Sequence, residues 1–108
     1  MEFKYTYKFS ERAAEDLEEI LRYIAEDLCN KSAAEDLGRK IFENIDTIRV
    51  FPETGLALNN ELVSDKAVRR VVIDNYVLYY KANEANKTIE IVRIVYGKMN
   101  LEEIYRCI

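Results

Sequence analysis

Histidine is absent from the 108 residues, and cysteine occurs only at positions 29 and 107. The missing imidazole removes the commonest metal ligand and the one side chain whose unperturbed pKa lies near neutrality. With two cysteines far apart and no CxxC spacing, neither a zinc site nor any other cofactor is expected, and Cys29 and Cys107 read as free thiols. Chemistry on this chain therefore falls to Tyr, Lys, Arg, Asp and Glu. The cations and phenols that could serve it gather toward the C-terminus: Arg69, Arg70, Arg93, Tyr96, Lys98 and Tyr105. A tyrosine, with an ordinary pKa near 10, can move a proton only where neighbouring cations favour its ionised form.

Charge is divided along the chain. From Ser10 to Glu53 there are 12 acidic and 6 basic residues, a net of −6, whereas Lys66 to Lys98 holds 3 acidic and 7 basic residues, a net of +4. The basic half could face a phosphate backbone or an acidic partner. The overall charge of −4 argues against strong general affinity for nucleic acid, which comes from phosphate neutralisation. Each candidate also has a plainer reading. Arg69 or Arg70 could make a surface pair, Tyr96 could be half-core, and Tyr105 could be packing on a terminal helix. Arg93 lies inside an apolar run, so its charge demands either a carboxylate from a partner or an internal acid such as Glu90 or Asp74.

The elements that must position these residues follow from periodicity. Residues 3–9 alternate, with Phe3, Tyr5, Tyr7 and Phe9 on one face, as in a half-buried strand. Ser10 stands at an N-cap position before Ala13, Leu17, Ile20, Leu21, Ile24 and Leu28, the stripe of an amphipathic helix with Glu11, Glu15, Asp16, Glu18 and Glu19 on its outer face. Ser32 to Glu35 fits a capping box opening a second helix, striped by Leu37, Ile41, Phe42, Ile45 and Ile48 and stopped by Pro52. Residues 53–65 read as a loop. Lys66–Asp74, Tyr76–Ala82 and Thr88–Tyr96 read as strands of an antiparallel meander, and Asn100–Ile108 as a short helix. The prediction is a single α+β domain over residues 1–108. Its antiparallel sheet has about four strands and carries an N-terminal helical hairpin, in the order β-α-α-β-β-β-(α). No apolar run approaches the roughly 20 residues of a membrane span, and no secretory signal precedes the first strand, so a cytoplasmic protein is expected.

In this order the segments resemble a known family. They are A-x-x-D-L-x-x-I from Ala13 to Ile20, F-P-x-x-G from Phe51 to Gly55, Arg69 or Arg70 ahead of Tyr76, then YVLYY, and I-x-R-I-x-Y-G from Ile91 to Gly97. Together they are similar to the ParE branch of the RelE/ParE superfamily of toxins from type II toxin–antitoxin pairs. The resemblance implies a growth-inhibiting toxin neutralised by a cognate antitoxin, alone or in a toxin–antitoxin hetero-oligomer or homodimer. It implies two rival targets, DNA gyrase for ParE-like members and messenger RNA on the ribosome for RelE-like ones, and leaves room for an inactive member that keeps only its antitoxin. A nuclease would draw on Arg70, Arg93, Lys98 and Tyr105. An antitoxin would cover Arg69, Arg70, Arg93, Tyr96 and Lys98. Two arginines of the RelE pattern fall on Met99 and Val77. Losing one charge-stabilising donor costs about 3 kcal/mol, so efficient cleavage is not expected.

Overall fold

A computed structural model describes residues 3–58 and 67–97. Strand β1 (Thr6–Phe9) leads through Ser10 into helix α1 (Glu11–Arg22), which finishes in one π-helical turn, Tyr23–Asp27. Helix α2 (Lys31–Val50) follows, then a 3-10 turn at Pro52–Thr54 and a two-residue strand β2 (Leu56–Ala57). Strands β3 (Arg69–Ile73), β4 (Tyr76–Asn83) and β5 (Thr88–Tyr96) form the expected meander.

Local chemistry sets the helix ends. The Ser10 hydroxyl accepts a hydrogen bond from the Ala13 amide at 3.0 Å and donates one to the Val92 carbonyl at 2.9 Å, so the cap of α1 is also a tie to β5. The second helix is capped by Asn30, whose side-chain oxygen accepts from the Ala33 amide at 3.0 Å, and not by the Ser32–Glu35 box. Cys29, at φ 51, turns the chain in the left-handed region and starts α2 two residues early. The π turn has a further effect. Its Leu28 amide donates to the Tyr23 carbonyl, five residues back, and the wider turn rotates Leu28 off the apolar stripe into solvent.

The sheet order is β1-β5-β4-β3-β2. The meander enters from the far edge, so its third strand returns beside β1 in the same direction. β1 and β5 are consequently parallel, the other pairs among the described residues are antiparallel, and with β2 the described sheet has five strands. The expected antiparallel set of about four strands is thus a mixed sheet, extended at one edge by residues that read as loop. The hairpin covers one face: Leu37, Ile41, Ile45 and Ile48 of α2 pack with Ala13, Ile24, Leu78, Tyr80, Ile89, Ile91 and Ile94. Burying each isoleucine contributes roughly 1.5–3 kcal/mol. The other face of β4 and β5 buries Val77, Tyr79 and Val95 with Leu58 and Val68, which accounts for strands apolar on both sides.

One close approach explains the F-P-x-x-G run. The buried Tyr80 hydroxyl donates to the Pro52 carbonyl at 2.7 Å and accepts from the Gly55 amide at 2.8 Å. A Cβ on residue 55 would stand 2.7 Å from the Arg70 carbonyl oxygen, so only glycine lets the turn reach the sheet.

Candidate functional site

β1 ends at Phe9, opposite Ile91, so among the described residues no strand runs along the outer side of the second half of β5. Helix α1 takes that place. The Ser10 amide donates to the Ile91 carbonyl, its hydroxyl donates to Val92, and the Asp16 carboxylate accepts from the Ile94 amide at 3.0 Å. The same carboxylate receives Arg93 in a forked contact, Nε to Oδ2 at 2.8 Å and Nη2 to Oδ1 at 3.3 Å. Asp16 is 7% exposed and Arg93 8%. A second cation, Arg12, brings its Nε within 3.5 Å of Oδ1 from the surface side.

The partner of Arg93 is thus an internal acid, and neither of the two expected. Asp16 does not lie on the outer face of α1. Its spacing contained the signal: it is three residues after Ala13 and four before Ile20, both on the buried stripe. A carboxylate on an apolar stripe needs a buried donor, and Arg93 is the matching charge in an apolar strand.

Above this pair opens a groove of about 650 Å³ between α1 with its π turn and the adjoining ends of β4 and β5. Its lining is largely apolar and aromatic, with Arg12, Glu19 and Asn75 among it. Tyr23 is 50% exposed, Leu28 56% and Tyr96 41%, with Ile20 and Tyr76 between them. The Tyr76 and Tyr96 rings meet edge to face with centroids 5.7 Å apart. Burial pushes the Tyr76 phenol upward from 10.0, and the neighbouring Tyr96 and Tyr23 phenols add to the effect. Tyr76 is therefore harder to ionise than an ordinary tyrosine, the opposite of the tuning a general base needs.

The remaining sequence candidates are dispersed. Arg69 donates to the Gly55 carbonyl at 2.8 Å, holding the turn after α2 against the opposite edge of the sheet. Backbone register sets Arg70, Tyr79 and Arg93 in one row across β3, β4 and β5, yet the Arg93 side chain leaves that row to reach Asp16. A bulge at Val92 accompanies this: Tyr80 pairs with Ile91 and Tyr79 with Arg93, so Val92 has no opposite number. Val77 packs into the far-face core. Lys98, Met99 and Tyr105, with the expected C-terminal helix and Cys107, lie outside the described residues. Among the described residues, no three His, Cys, Asp or Glu side chains converge as metal ligands, and no helix is long and apolar enough to cross a membrane.

Residues 7–101 match the family model described as ParE toxin of the type II toxin–antitoxin system parDE. The chain belongs to the ParE toxin family. No curated protein sequence matches it significantly. Solved structures agree with the ParE assignment at the level of fold. The chain is similar to one from the chromosomal ParDE system of P. aeruginosa, with TM-score 0.68 and 20% identity over 88% of this chain and 98% of that one. The RelBE2 toxin–antitoxin complex of Mycobacterium tuberculosis gives TM-score 0.60 and 19% identity over 86% and 98%. The isolated E. coli RelE toxin gives 0.57 and 16% over 96% and 99%. At these identities the likenesses show that this ParE chain shares the overall fold of those structures.

Proposed function

We propose that the chain is the growth-inhibiting subunit of a type II toxin–antitoxin pair, held inactive by a cognate antitoxin whose apolar side chains occupy the groove between α1 and the β4–β5 tips. The observation that carries the reading is the exposed rim of Tyr23, Leu28 and Tyr96, in a chain of the ParE family. Clustered exposed aromatics mark contact surfaces. Because Arg93 is already neutralised by Asp16, its part is to hold the groove floor in shape, and Tyr96 is the sequence candidate expected to touch the partner.

DNA gyrase is the target this reading favours over messenger RNA. Phosphoryl transfer needs cations converging on one phosphate and a group able to take a proton. Within the described residues Arg69 is committed to the Gly55 carbonyl, Arg93 to Asp16, and the Tyr76 phenol is made harder to ionise. These features support a binding mode of inhibition. Inducible expression with and without the antitoxin tests the toxin role. Growth arrest only without the antitoxin, inhibited gyrase supercoiling and intact transcripts are expected. Unimpaired growth under strong expression leaves only an inert antitoxin-binding member, and ribosome-dependent transcript cleavage overturns the gyrase reading.

A further inference from the structure

We draw no further inference here: the strongest candidate, the exposed aromatic patch of Phe3, Tyr7 and Phe42 where β1 meets α2, carries nothing because the structure does not show what covers it and Arg49 beside it is already held by Asp46 and the Tyr5 carbonyl.

Discussion

Arg93 on β5 and Asp16 on α1, 77 residues apart, meet through Nε and Oδ2 at 2.8 Å with both side chains almost wholly buried. The pair fixes the approach of α1 to β5. Its net contribution is modest, since desolvating two charges cancels most of their attraction. Breaking it is another matter, because the survivor is left buried and unpaired.

Asp16→Ala and Arg93→Ala should each destabilise the protein by about 3–5 kcal/mol, measured by urea unfolding. The paired change Asp16→Leu with Arg93→Met should cost far less than the two single changes added together. Asp16 also serves the Ile94 amide, so Asp16→Ala should be the worse of the single variants. Losses below about 0.5 kcal/mol in both would mean the pair is no more than a surface contact.

The turn after α2 gives a second test. Tyr80→Phe removes the hydroxyl that joins the Pro52 carbonyl and the Gly55 amide, and should cost about 1–3 kcal/mol. Gly55→Ala drives a methyl against the Arg70 carbonyl and should cost at least about as much as overpacking a core, 1–3 kcal/mol.

Alkaline pH should separate Tyr80→Phe from the parent. Burial raises the Tyr80 phenol above 10.0 in the folded state, so folding holds that proton more tightly than the unfolded chain does. The stability tied to it is complete below pH 10.0 and is lost as pH climbs through the raised folded value. Stability measured from pH 8 to 11 should fall less steeply in the phenylalanine variant. Parallel curves would assign the alkaline loss to other groups, such as Tyr76.

At the groove, Leu28→Asp and Tyr96→Ala should weaken antitoxin binding by about 2 kcal/mol or more, roughly thirtyfold in Kd, as apolar anchors do. Both side chains are exposed, so unfolding midpoints should hardly move. Added salt should change affinity only slightly, because the floor charge is already paired. Parent-like binding by both variants at low and high salt would move the interface elsewhere on the sheet.

Val77→Arg puts back an arginine that the RelE pattern has there. It should unfold the protein rather than create a nuclease, since Val77 is packed beside Tyr79 and Val95. A folded variant that cleaves messenger RNA on the ribosome would refute this.

Much of this was legible from residue spacing. The stripe Leu37, Ile41, Ile45, Ile48 is the buried face of α2, and the apolar runs of β4 and β5 are buried on both sides. Topology was less accessible, because alternation in β1 reveals a strand but not the direction of its neighbour. The π turn hid the exposure of Leu28, since one widened turn shifts every later position around the helix axis. At the site, Tyr96 was visible as a half-exposed aromatic at a strand end. Asp16 was not, because a lone acid among Glu11, Glu15, Glu18 and Glu19 passes for one more member of a solvated face until its phase against Ala13 and Ile20 is counted.

The bond from Ser10 to Val92 bears on how the chain is made. The hydroxyl that caps α1 finds its second partner on β5, and among the described residues β5 is the sheet neighbour of β1. During translation, everything ahead of Thr88 emerges before β1 can pair with β5 and before the floor carboxylate of Asp16 can meet Arg93 and the Ile94 amide. Non-local pairing of this kind carries a loop-closure cost that slows folding. The fold is thus sealed by β5, and a ribosome stalled before residue 88 holds a chain that cannot yet form the groove.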